Sequence, residues 1–140
     1  MLSVWSEQLK RILKMNKRDR IKWKKQSRKK WDAIVQDLRD NSTGEFDFTT
    51  KSCGYCQVYL PNADGRSYGD VDFSFCKNCP LNKKSLCWTG YGRAYQTVSN
   101  FYIEQPTENA RMDHTEQSQT LKQAGIMLRA ITKDIEQETT

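Results

Sequence analysis

Five cysteines lie between positions 53 and 87, four of them in the pairs Cys53-Gly54-Tyr55-Cys56 and Cys76-Lys77-Asn78-Cys79, with Cys87 following. Two residues between cysteines let a tight turn aim both sulfurs at one ion, and two such pairs joined by a segment long enough to fold back match a tetrahedral zinc site. The expected ligands are Cys53, Cys56, Cys76 and Cys79, with Cys87 as the available substitute. An iron–sulfur cluster is the rival, since Cys79-Pro80 is the cysteine-proline ending of ferredoxin-type runs, although the spacings do not fit the compact ferredoxin pattern. An odd cysteine count, no secretory leader pattern and no apolar run of membrane-spanning length point to a reducing cytoplasm, where metal ligation is favoured over disulfides.

Charge is concentrated at one end. Through Gly44 the chain carries 13 basic and 5 acidic residues, a local net of +8 against −2 for the rest. The basic residues Lys10, Arg11, Lys14, Lys17, Arg18, Arg20, Lys22, Lys24, Lys25, Arg28, Lys29 and Lys30 form a positive block suited to an anionic partner. Two partners fit it. Nucleic-acid phosphates could lie along the block with Trp23 available to stack or wedge. Alternatively the block docks on an acidic face of a host protein of the transcription, replication or defence machinery. A third reading, a merely solvated helix, uses the same residues.

Three regions follow from composition and periodicity. Residues 1–44 hold good helix formers, with apolar stripes at Trp5, Leu9, Ile12 and Leu13 and again at Trp31, Ile34, Val35 and Leu38; the basic stretch between them is a solvated helical segment or an arm that orders on a partner. Residues 45–105 turn to aromatics, cysteines, Gly and Pro, which reads as short strands and metal-tied loops, with strands at Gln57 to Leu60 and at Val71, Phe73 and Phe75 and a turn at Asp64-Gly65. Residues 106–140 form an amphipathic helix with a seam of Leu121, Ala124, Leu128, Ile131 and Ile135, packing on its own domain in a monomer. The expected fold is therefore a small α+β domain with a zinc-ribbon or zinc-knuckle-like core, a long basic N-terminal helix and a C-terminal helix. The many aromatics of the middle region are expected to build the core rather than a base-stacking platform.

The order of these features resembles a group of small bacteriophage proteins of no assigned function. The motifs concerned are Trp31-Asp32-Ala33-Ile34-Val35, Cys53-Gly54-Tyr55-Cys56, Cys76-Lys77-Asn78-Cys79-Pro80-Leu81 and Cys87-Trp88-Thr89-Gly90-Tyr91, followed by the closing helix. In that group a cysteine leading into Gly-Thr-Pro-Tyr forms the third motif, where this chain reads Gly90-Tyr91-Gly92, and the long basic arm is not part of the pattern. The resemblance implies viral origin, a host-cytoplasm setting and five cysteines used together; it implies no activity.

Catalysis finds little support. His114 is the only histidine, so zinc hydrolase or nuclease sites built on several histidines are excluded, and no Walker-type loop or GxSxG elbow occurs. The sequence points to a non-enzymatic zinc-binding protein that meets nucleic acid, or an acidic protein, through its basic helix.

Overall fold

The computed structural model describes residues 15–40, 42–48, 53–59, 78–87, 93–104 and 114–140. Five helices occupy them: α1 (Lys17–Arg39), α2 (Gly54–Tyr59), α3 (Pro80–Lys83), α4 (Arg93–Glu104) and α5 (His114–Thr139). None of the described helices is long and apolar enough to cross a membrane.

α1 starts where its sequence supplies a cap. Asn16 has an extended backbone and its Oδ1 accepts the Asp19 N–H at 2.8 Å, satisfying an amide that has no partner within the helix. Asp19 in the first turn and Arg39 in the last complement the helix dipole. The basic stretch is thus continuously helical from Lys17, without a break before the apolar stripe. Trp31, Ile34, Val35 and Leu38 are buried as their spacing predicts. Beyond Arg39 the backbone turns back at Ser42, with φ 56°, and its N–H donates to the Asp37 carbonyl at 2.9 Å. The Asp37 carboxylate accepts the Gly44 N–H at 2.9 Å and the Tyr102 hydroxyl at 2.5 Å, fastening the returning segment and α4 to the end of α1.

α5 runs antiparallel to α1. Glu138 meets Arg20 at one end, and at the other the Gln117 side chain donates to the Leu38 carbonyl at 2.5 Å. The face it buries is Thr120, Ala124, Met127, Ile131 and Ile135, while Leu121 and Leu128 lie half-buried on its flank. The expected seam is therefore rotated: Met127 takes the central place assigned to Leu128, because a helix between two partners buries a broad stripe whose centre the apolar count alone does not fix. α4 packs against α5 and contributes Ala94, Tyr95, Val98, Phe101 and Tyr102 to the same core. Edge-on aromatic contacts fill the space beside α1, with Phe46 5.1 Å from Tyr102 and Phe48 5.8 Å from Tyr95.

The expected α+β fold with a zinc-ribbon or zinc-knuckle core is corrected: the described residues are helical or irregular and hold no strand. The strand expected from Gln57 is the second half of α2. A short apolar run cannot tell strand from buried helix by period, and here the decisive contact is long-range. Gly54 lies so close to α1 that a Cβ would stand 1.8 Å from the Trp23 carbonyl oxygen, and its N–H donates to the buried Ser27 Oγ at 2.8 Å. α2 is thus seated on α1 through its first residue. Trp5, Leu9, Ile12 and Leu13, the turn at Asp64-Gly65 and the strand at Val71 to Phe75 lie outside the described residues.

Candidate nucleic-acid interface and the cysteine cluster

The cations of α1 divide into two sets. Arg20, Lys24 and Lys30 are turned into the structure. Lys24 is 2% exposed, and its Nζ lies 2.8 Å from Asp134 Oδ2, contacts Glu138 Oε2 and sits over the Tyr55 and Tyr59 rings at 5.4 and 5.6 Å. The Tyr55 hydroxyl donates to the same Asp134 oxygen at 2.7 Å. Burial pulls the Lys24 ammonium toward neutrality, but the two carboxylates more than reverse this and hold its pKa above the ordinary lysine value. Burial and the bond to Asp134 keep the Tyr55 phenol protonated. Arg20 Nε donates to Glu138 Oε1 at 2.8 Å and its Nη1 to the Met15 carbonyl at 2.8 Å. Burial raises the Glu138 pKa, yet the bonds from Lys24 and Arg20 outweigh it and leave the group below its ordinary value.

Lys30 is half-buried. Its ammonium donates to the Asp47 carbonyl and stands 5.1 Å from the centre of the Phe48 ring. Burial lowers its pKa, partly offset by Cys53, Asp47 and Cys56 nearby.

The second set faces outward. Lys17, Arg18, Lys22, Lys25 and Lys29 are exposed and Arg28 is half-buried. Arg18, Lys22, Lys25 and Lys29 recur at steps of four, three and four residues, so they share one stripe spanning about 16 Å of helix axis. Beside it, α1 and α5 border two open, shallow hollows that share Lys25. One, of about 730 Å³, is lined by Arg18, Ile21, Lys22 and Thr139 among others; the second, of about 380 Å³, is lined by Arg28, Lys29, Asp32, Leu128 and Thr132. Trp23 points elsewhere: helical geometry places it about 130° around α1 from the stripe, on the side where Gly54 abuts its carbonyl. Lys10, Arg11 and Lys14 lie outside the described residues.

The cysteines come from three stretches of chain. Cys53 is half-buried just before α2 and Cys56 is buried in its first turn; Cys79 is buried at the N-cap of α3, and Cys87 is buried after it. All four belong to or pack on one apolar core. The Cys79 thiol is pushed well above its usual range by burial and then by Cys87 and Cys53, while the Leu81 and Asn82 amides, which face the sulfur without closing a capping hydrogen bond, act the other way. Cys76 lies outside the described residues. Among the described residues no three His, Cys, Asp or Glu side chains stand close enough together to hold a metal ion as they are placed. The expected quartet of Cys53, Cys56, Cys76 and Cys79 includes Cys76 and so falls partly outside the described residues.

Sequence reasoning also missed Asp134 and Glu138, the partners of Lys24. Their spacing of four residues on one helix was a readable sign of a paired acidic face; which lysine would meet it depends on how α1 and α5 pack. No family model, no curated protein and no solved structure matches the chain.

Proposed function

We propose that the protein is a non-enzymatic nucleic-acid-binding protein whose contact surface is the outer stripe of α1. The observation that carries this reading is the separation of the two sets of cations: Arg20, Lys24 and Lys30 have partners in the structure, whereas Arg18, Lys22, Lys25 and Lys29 line up on the opposite side, exposed to water. Within the fold, carboxylates match the charges of Arg20 and Lys24, and a backbone carbonyl and the Phe48 ring hold Lys30. The second keeps its full charge along a rigid rod, with hollows alongside that admit a sugar–phosphate chain, and phosphates are the commonest anions that repeat on that scale.

The test is the variant Arg18→Gln, Lys22→Gln, Lys25→Gln, Lys29→Gln, titrated against labelled DNA and RNA oligonucleotides by fluorescence anisotropy. Gln preserves helix propensity, so the circular dichroism spectrum and melting curve should match the native ones while affinity falls at least tenfold. A folded variant that binds as tightly as the native protein at low salt would remove the stripe from the binding surface. Native protein that ignores oligonucleotides but binds an acidic protein through the stripe would replace nucleic acid with that partner.

A further inference from the structure

We infer that the smaller hollow between α1 and α5 takes a ribose–phosphate unit, so that the protein prefers RNA to DNA: Lys25, Arg28 and Lys29 hold the phosphate, and Asp32 with Thr132 reads the ribose 2′-hydroxyl. The inference deepens the nucleic-acid reading of the stripe and rests on it. The hollow, of about 380 Å³, is bordered on α1 by Lys25, Arg28, Lys29 and Asp32 and on α5 by Leu128 and Thr132. Its mixed chemistry is the informative feature. A rail that only follows phosphates is built from cations, yet Asp32 continues the stripe three residues after Lys29 and brings the opposite sign. At equal distance a carboxylate repels a phosphate as strongly as a lysine attracts it.

The ordinary reasons for an aspartate in a helix do not account for Asp32. It stands well inside α1, far from the first turn where a carboxylate complements the helix dipole. Arg28 and Lys29 precede it by four and three residues, but a cation placed N-terminal to its acid is the weaker order for such a pair. Among the described residues no ion pair joins Asp32 to either. The carboxylate is exposed and keeps its capacity to accept a hydrogen bond at the edge of the hollow. Thr132 faces it from the other helix. Thr120 on the same helix spends its hydroxyl on the Glu116 carbonyl, whereas Thr132 makes no such bond among the described residues.

A 2′-hydroxyl both donates and accepts, and it is the group by which a protein tells RNA from DNA at a given site. An aspartate that accepts and a threonine that donates match both of its halves. Arg28, half-buried, brings a planar fork suited to two phosphate oxygens, and Lys25 and Lys29 add point charges on either side. Leu128, also half-buried, offers an apolar wall to the carbons of the sugar. Because the hollow is open and shallow, a strand can pass through it and carry its neighbouring phosphates along the stripe toward Lys22 and Arg18.

The probes are labelled single-stranded oligonucleotides of one sequence of A, C and G, made as RNA, DNA and 2′-O-methyl RNA and titrated against the full-length protein at one salt concentration. Native protein should bind RNA about tenfold tighter than DNA, the worth of one hydrogen bond to a charged group. The 2′-O-methyl strand, which cannot donate, should bind no better than DNA. Asp32→Ala sheds a repulsive charge, so it should bind DNA at least as tightly as the native protein while losing the preference for RNA; Thr132→Val should reduce that preference. The native comparison needs no variant and stands even where a variant misfolds. Equal affinity of the native protein for RNA and DNA overturns this inference and leaves the stripe as a general nucleic-acid surface. A folded Asp32→Ala that keeps the native preference also overturns it, as does a preference that follows base sequence and not the sugar. Failure to bind any of the three strands overturns this inference and the nucleic-acid reading together.

Discussion

Lys24 Nζ lies 2.8 Å from Asp134 Oδ2 although 110 residues separate them in the chain, and the lysine side chain is only 3% exposed. An ammonium so placed is tolerated because carboxylates and aromatic faces replace its water. Removing one partner strands the other, so Lys24→Ala is expected to lower unfolding free energy by about 3–5 kcal/mol. Lys25→Ala, one residue on and exposed, is expected within about 0.5 kcal/mol of native. Urea melts of both variants make the comparison; equal stabilities would show that the pair contributes nothing.

The same knot sets the acid limit of the fold. The Glu138 pKa is lower in the folded chain than its ordinary 4.5, so the stability it contributes is complete above that value and is lost as pH falls through the lower, folded one. Lys24 works in the opposite sense. Its pKa is raised, so its contribution is complete below 10.5 and is lost only as pH climbs through the higher folded value. Melting temperatures of Glu138→Gln are therefore expected to fall less steeply than native ones between about pH 5 and pH 2, and an unchanged acid limb would remove Glu138 from this role.

Gly54 tests the seat of α2. Alanine is the better helix former by about 1 kcal/mol, yet its Cβ would stand 1.8 Å from the Trp23 carbonyl oxygen, a backbone atom that cannot rotate away. Gly54→Ala is expected to destabilise by about 1–3 kcal/mol or more. A thermal melt at or above the native midpoint would mean that α2 does not rest on α1 in this way.

If four side chains of the stripe each neutralise one phosphate, the slope of log affinity against log salt for duplex DNA contains a contribution of about −3.6 from them. The fourfold Gln variant should lose that much slope, and Lys24 should add none because its charge is already matched by Asp134 and Glu138. Titrations at several salt concentrations check this; a native slope near zero would exclude phosphate contacts.

The long helices were legible and the compact middle was not. Trp31, Ile34, Val35 and Leu38 are buried at helical spacing and could be read directly. α4 was equally periodic, since Ala94, Tyr95, Val98, Phe101 and Tyr102 fall on one face, but the cysteine spacing suggested a ribbon of strands and drew its neighbours into that reading. α2 was not legible, because Gly54 and Ser27 decide it from opposite ends of a long-range contact. The site was half readable. The block of cations was plain, yet nothing local marked Lys24 as internal and Lys25 as external. That difference is one step of a helix set against a partner helix near the other end of the chain.

The distance in sequence between α1 and its ionic partners also orders the events of synthesis. As the chain leaves the ribosome, α1 emerges with Lys24 and its apolar stripe, while Asp134 and Glu138 follow only after more than a hundred further residues. Closing that contact is a late, non-local step of the kind that slows folding and leaves apolar surface open meanwhile. A nascent chain arrested before residue 134 therefore leaves Arg20 and Lys24 without the carboxylates that match them in the finished fold, and should cling to ribosomal or messenger RNA more strongly and with less discrimination than the completed protein.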